Sequence, residues 1–373
     1  MSLMSGPLSD PAADPASETP SGAAASDNAA PGTRSGRSGP RAAAGSPGAA
    51  ARARDARRLL AASLLQRQGA AVVLVLLCVY AWIAYPHFGT GDNLRDLALQ
   101  SSFLAVIALG MTFVIITGGI DLSVGSVYAL GGVLAAYGAR GGFFGALLLP
   151  LAVCAAIGLV QGLIIARTGM APFIVTLAGM LFARGLLLAI THEGAETYKI
   201  HNGAVFLNLG RGEWLGVGHP VWFTLILFAV GGLVLRRTRF GQALFAIGGS
   251  EPSARLMGLP VVRDKVVVYT LSATLAGFAG AMTAAYLQSG VTVIGVGTEL
   301  DAIAAVVIGG TLLVGGAGTV IGTLVGVLLR NVIQNIINQI GSLDSNYQSV
   351  VSGGFLLLVV VAQRWLTTRR LRT

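Results

Sequence analysis

RRTRFGQALFAIGGSEPSARLMGLPVVRDK, residues 236–265, interrupts a chain that is apolar on both sides of it. One hydrophobic run ends at Leu235 and the next begins at Val266. Between them sit the basic residues Arg236, Arg237, Arg239, Arg255, Arg263 and Lys265. Two membrane spans joined by a basic loop account for this pattern, because Lys and Arg beside span ends favour the cytoplasmic side. Within the loop, Ser250 has N-cap chemistry, and Glu251 and Pro252 suit a first turn. Gly258 suits the position just past a helix end, and Pro260 is a stop. Residues Glu251–Met257 are therefore expected as a short helix of about 10 Å, a shape suited to docking a cytoplasmic partner.

Outward from this loop, the composition sets the class. Hydrophobic residues form 54% of the chain and charged residues 11%, against roughly 25% charge in soluble domains. This is the composition of an integral membrane protein. The net charge of +9 does not describe a nucleic-acid surface. Its basic residues gather before the first span, after the last one and in the loop above, which is a topology bias. Cys78 and Cys154 both fall inside apolar runs and read as packing groups, with no disulfide framework and no zinc spacing.

Ten apolar runs follow one another: Ala70–Tyr85, Leu97–Thr117, Val124–Tyr137, Phe143–Ala166, Pro172–Thr191, Val221–Leu235, Val266–Leu287, Leu300–Gly315, Val320–Ile340 and Val350–Trp365. The fold class is an all-α integral membrane protein of about ten transmembrane helices in contact with lipid. Several runs are shorter than the roughly 20 residues of a simple span; Val124–Tyr137 is the shortest and fits a broken or re-entrant helix. Residues 1–67, rich in Ala, Gly, Ser and Pro, are expected to be a disordered cytoplasmic tail. Residues 68–366 form the membrane domain and 367–373 a second cytoplasmic tail. An even span count puts both termini inside, and an eight-span variant with two re-entrant runs has the same parity. The longest outside loop, His192–His219, carries three of the four histidines and reads as solvated surface rather than a metal site. Glycines at Gly158 and Gly162, and at Gly318, Gly322 and Gly326, mark faces where helix backbones can approach closely.

The chain has two lysines, Lys199 and Lys265, preceded by Tyr198 and Asp264. Neither makes the Gly-Lys-Ser/Thr of a phosphate-cradling loop. ATP energy, if used, must arrive from another polypeptide, and the basic loop is where it would enter. The spans hold no nucleophile–base set and no catalytic residue is assigned.

Four blocks carry a family resemblance: GMTFVIITGGIDLSVGSVYAL at 110–130, PFIVTLAGMLFARG at 172–185, RTRFGQALFAIGGSEPSARLMGL at 237–259, and GVGTELDAIAAVVIGGTLLVGGAGTVIGTL at 295–324. Together they closely resemble the permease subunits of ATP-binding-cassette sugar importers of the ribose/xylose/arabinose type, and within these the galactofuranose importer permease. The resemblance implies a bacterial inner-membrane location, two permease subunits as a homo- or heterodimer, two ATPase subunits that hold ATP and Mg, and an extracytoplasmic sugar-binding protein. This chain itself would bind no cofactor. The 237–259 block matches the family's coupling region, with Gly241, Gly248, Ser250, Glu251, Arg255 and Gly258 as its candidate residues. The family commonly has Asn where this chain has Ser250, and Ser or Thr where it has Val314. Branched-chain amino acid and nucleoside permeases of the same superfamily, and ion-coupled secondary transporters, are the alternatives.

Several membrane-depth polar residues have two readings each. Asp121, between Gly118-Gly119 and Gly125, either caps a broken helix or lines a substrate path. The blocks Gly118–Gly125 and Gly309–Gly316 share Gly and Leu offsets that suggest an internal repeat. Arg184 is either a structural ion pair or a sugar contact. Asn331, Gln334, Asn335 and Asn338 share a helical face, as polar glue between helices or as the lining of a path for a neutral sugar. Thr298 with Asp301 has the spacing of a capping box, and Glu251 and Arg255 have the spacing of a helix surface pair.

Overall fold

Inside a bilayer every backbone N–H and C=O must be satisfied by the protein, so long apolar runs become helices. The structure, a computed structural model, describes residues 69–201 and 203–340, with positions 350, 353 and 354 beyond them. The expected tail 1–67, the run Val350–Trp365 apart from those three positions, and the tail 367–373 lie outside the described residues.

The helices are α1 (Gly69–Ala84), α2 (Gly91–Ile116), α3 (Val124–Gly138), α4 (Gly142–Thr168), α5 (Pro172–Ile190), α6 (Ala204–Arg211), α7 (His219–Arg237), α8 (Arg239–Gly249), α9 (Glu251–Leu256), α10 (Val261–Leu287), α11 (Thr298–Ile308) and α12 (Val320–Ile340). Among the described residues six helical segments are long and apolar enough to cross a membrane. One of them, Val124–Thr168, folds back on itself: Gly142 takes a φ of +79° between α3 and α4, and the Cys154 thiol reaches Val127 O at 3.7 Å. Nine of the ten expected runs thus appear as helices among the described residues: α2, α3, α4, α5, α7, α10 and α12 within these six segments, and the shorter α1 and α11.

The hub is α10, which packs most extensively on α4, α3 and α2. Glycine makes this possible. A Cβ on Gly158 would sit 2.5 Å from Tyr269 O, one on Gly162 would sit 2.9 Å from Val266 Cα, and one on Gly110 would sit 2.9 Å from Ser272 Cα. The pair expected from sequence is therefore a backbone-contact face. The Gly322 and Gly326 positions likewise press α12 onto Ala305 of α11 and onto Gly309 just past its end.

These contacts also fix directions. Phe103 stacks near Tyr286, and Gly110 lies against Ser272, so α2 runs antiparallel to α10. Each of these long helices is followed by a non-helical segment (117–123 and 288–297) and then by a short helix, α3 and α11 respectively. The α2–α3 and α10–α11 units thus share an order, with their long helices antiparallel, as in the inverted repeats of transporters. The pairing suggested by the two Gly-rich blocks is different: Gly118–Gly125 precedes a short helix, whereas Gly309–Gly316 follows one. They are contact partners rather than equivalents.

The stretch 236–265 is more ordered than its sequence suggests. The expected short helix is present as α9, ending at Leu256. Ahead of it, α8 occupies residues that read as loop. Three glycines weaken helix propensity there, but Ala243, Leu244 and Ile247 bury one face against the bundle, and packing overrides propensity. At the opposite end of the bundle, α6 and a two-stranded hairpin (β1, Glu213–Trp214; β2, Val217–Gly218) occupy the long loop between α5 and α7. Gly210 of α6 packs against the backbone at Ala285 and Tyr286, near the end of α10.

Candidate functional site

The site begins with the elbow formed by α8 and α9. Thr238 opens it by accepting from Gly241 N–H at 3.1 Å and donating to Val234 O at 2.6 Å. Gly241 lets the first turn of α8 close on the end of α7, since a Cβ there would overlap the Leu235 carbonyl. Ser250 caps α9 by accepting from Ser253 N–H at 3.4 Å, as its residue type leads one to expect. Gly258, at φ +76°, ends the helix. Ala254 is fully buried with Ile247 and Val261 beneath the elbow.

Glu251 is a clamp. Its Oε1 accepts from Arg255 Nη2 at 2.8 Å and its Oε2 from Lys265 Nζ at 2.5 Å, tying α9 to α10. Burial pushes the Glu251 carboxyl up, but the hydrogen bonds and charges of Lys265 and Arg255 outweigh that and hold it below the usual carboxylate range. Beside this clamp, Leu256 is 90% exposed and Met257 66% exposed. Two large apolar side chains standing clear of a charged clamp form an exposed apolar knob. Sequence reasoning favoured Glu251 and Arg255 as the contacts; it passed over Leu256 and Met257, whose signal was an apolar pair between a helix and its stop.

Gly248 connects the elbow to the interior. A Cβ there would overlap Ile116 O and lie 2.5 Å from Gly316 N. Gly316 N–H donates to Ile116 O at 2.9 Å. The end of α2, the Gly-rich turn 309–319 and the elbow thus meet at one point, with no side chain between them. Gly118, Gly315 and Gly316 all have positive φ here, which L side chains resist.

Just beyond, Asp121 holds the break between α2 and α3. Its Oδ1 accepts from Ser123 N at 3.0 Å and Ser123 Oγ at 2.6 Å, and its Oδ2 from Ser272 Oγ at 2.8 Å. It is wholly buried, and these bonds pin the start of α3 to α10. Gln161 adds to the cluster through Ser123 Oγ at 3.2 Å. Gln161 and Ser272 were missed in the sequence, where Gln161 is a lone polar residue in an apolar run and Ser272 is one of several small hydroxyl residues between Thr270 and Thr274.

The two short helices start beside each other, level with the middle of α10. A Cβ on Gly125 would overlap Gly295 O and Glu299 Oε2. Arg184 of α5 donates to Ile294 O at 3.3 Å and lies within electrostatic reach of Glu299. Both Arg184 and Glu299 remain partly exposed, and Val293 and Val296 beside them are 75% and 77% exposed. A cation, a carboxylate and two helix N-termini at membrane depth form a polar patch that can meet a hydroxylated solute.

The amide face of α12 is placed differently. Asn331 donates to Ser101 Oγ at 2.9 Å, and Asn335 exchanges hydrogen bonds with Asn93 at 2.8 and 3.3 Å, joining α12 to α2. Gln334 accepts from Arg330, which pairs with Asp301 at 2.5 Å. Asn338 is exposed near the end of the helix. The expected capping box does not form: Gly297 is the N-cap of α11, Thr298 lies inside the helix, and Asp301 is engaged by Arg330.

The family model for the permease component of branched-chain amino acid transport systems matches residues 93–360. The chain belongs to this permease family. The permease is 40% identical over 301 residues to the ribose import permease of Escherichia coli (strain K12), covering 80% of this chain and 93% of that protein. It is 36% identical over 313 residues to the L-arabinose ABC transporter permease of Azospirillum brasilense (82% and 90%). It is 37% identical over 308 residues to the fructose import permease of Bifidobacterium longum (79% and 89%). No solved structure matches the permease. As a permease component it is a multi-pass transport subunit and not an enzyme.

Proposed function

We propose that the permease is the membrane-spanning subunit of an ATP-driven importer that carries a monosaccharide into the cytoplasm. The observation that carries this reading is the unbroken mechanical connection from the exposed Leu256–Met257 knob, through Gly248, to Ile116 and Gly316 at the broken helices. An ATPase subunit, holding ATP and Mg, docks on the elbow within the 236–265 segment. Its closure moves α8 against the junction, and the two short helices with Arg184 and Glu299 shift between outward- and inward-open positions. A sugar-binding protein delivers substrate to the face carrying α6, and a second permease, identical or related, completes the pathway. Both chain termini lie in the cytoplasm of a bacterial cell, with the membrane domain spanning 68–366.

A monosaccharide is favoured because the relatives named above are permeases for ribose, arabinose and fructose. Galactofuranose is the sugar to test first, alongside ribose, L-arabinose and fructose. The experiment is uptake of each radiolabelled sugar into vesicles holding the permease, its ATPase and its binding protein, with ATP inside. Wild type should take up one sugar well above the others. Ala254→Pro, which breaks α9 at its buried contact, should reduce sugar-stimulated ATP hydrolysis and uptake together. Unchanged coupling in that variant refutes the docking role of the elbow, and uptake driven by an ion gradient without ATP refutes the importer class.

A further inference from the structure

A second feature at the elbow end of the bundle has no part in the scheme above. The C-terminal half of α7, the start of α12 with Gly318 and Thr319 before it, and Phe245 of α8 line an open groove of about 410 Å3. Its walls include Phe228 and Gly232 of α7 and Ile321 and Leu324 of α12; Arg236 and Arg237 stand at its mouth. No Asp or Glu lines it, and among the described residues neither guanidinium has an acidic partner. Both arginines are exposed.

The dimensions select the occupant. Phe228 lies nine residues below Arg237 on one helix, so the apolar part extends about 13 Å inward from the charged mouth. That is close to one leaflet of a hydrocarbon core about 30 Å thick. A soluble partner docked on α9 cannot send a side chain that far along the lipid-facing flank of α7. A second copy of the chain approaching across a two-fold axis would set four guanidinium groups near one another with no acid between them. An acyl chain below an anionic headgroup meets each feature in turn. Arginine forks suit phosphate oxygens, and paired basic residues at a span end attract anionic lipid.

We propose that this groove binds an anionic phospholipid of the leaflet that the elbow faces, with its phosphate on Arg236 and Arg237 and one acyl chain along Gly232. The site lies where α7 hands over to α8, so an occupying lipid would brace the root of the elbow.

The test is thermal unfolding of the purified full-length permease in mixed micelles with phosphatidylglycerol, with phosphatidylcholine, or with inorganic phosphate alone. Wild type should gain about 3 °C or more with phosphatidylglycerol and nothing comparable with the other two. The double variant Arg236→Gln/Arg237→Gln should lose that gain while matching wild type in phosphatidylcholine. Gly232→Leu should lose it too, because a Cβ at Gly232 meets nothing within 4 Å and the larger side chain projects into the groove without disturbing a neighbour. An equal gain in either variant overturns the proposal, as does a gain from phosphate alone. A Gly232→Leu protein destabilised in phosphatidylcholine also overturns it, since the groove would then be filled by protein, from this chain or another copy.

Discussion

At the scale of single residues, Gly248 bears the most on function. Ile116 O and Gly316 N occupy the space a side chain would need, so Gly248→Val must displace α8 from the junction. The apolar knob is untouched, so the variant should still engage its ATPase. Uptake should fall by about tenfold or more, a loss equivalent to about 1.4 kcal/mol of coupling, while basal ATP hydrolysis persists. Equal loss of both activities would indicate misassembly instead of uncoupling. Glu251 gives a pH prediction. Its carboxyl is depressed in the folded state, so the clamp contributes stability above the ordinary carboxylate range and loses it as pH falls through the depressed value. Thermal unfolding of wild type and Glu251→Gln should differ near pH 7, begin to converge as the pH drops past the ordinary carboxylate value of about 4, and meet only below the depressed folded-state value. The gap stays at or below about 1 kcal/mol, because partly exposed pairs are screened by solvent. A gap that persists in strong acid would mean that the clamp acts through shape rather than charge.

At the scale of elements, the legible and the hidden parts separate by the range of the interactions that decide them. Ser250, Pro252 and Gly258 act within one turn, so α9 could be read directly. By contrast, α8 depends on Leu244 and Ile247 meeting distant helices, and a local reading saw only its glycines. Asp121 stood out between glycines, yet its partner Ser272 lies 151 positions away. The amides of α12 left two readings open, and only the meeting with Ser101 and Asn93 shows where Asn331 and Asn335 direct their bonds. Arg184 and Glu299 come together because α5 and α11 both pack on α3, which no local pattern encodes. Their relationship can be measured by a double-mutant cycle on uptake with Arg184→Ala and Glu299→Gln. If they serve mainly as an ion pair, the double variant should transport about as well as the poorer single variant or better. If each meets the sugar independently, the losses should multiply, and apparent affinity should weaken in both single variants.

At the scale of the whole membrane domain, opposed halves and a charge bias make one geometric statement. The 27 residues of α10 rise about 40 Å, enough to cross a hydrocarbon core of about 30 Å with a turn to spare at each end. The elbow precedes this helix, and α6 packs against its far end, so the two must lie on opposite sides of the membrane. The basic residues of 236–265 predict that the elbow is the cytoplasmic one, as proposed above. Leu256, 90% exposed on the elbow, and Val205, 69% exposed on α6, are suitable reporters. Cys154 is buried and Cys78 only partly so, so Cys78→Ser gives a quiet background. In that background, Leu256→Cys should react with a membrane-impermeant maleimide only in inverted vesicles, and Val205→Cys only in right-side-out spheroplasts. Reaction of both from one side would break the inverted arrangement of α2–α3 and α10–α11. Reaction of each from the opposite side would keep that arrangement and reverse the orientation, removing the ATPase from reach of the elbow.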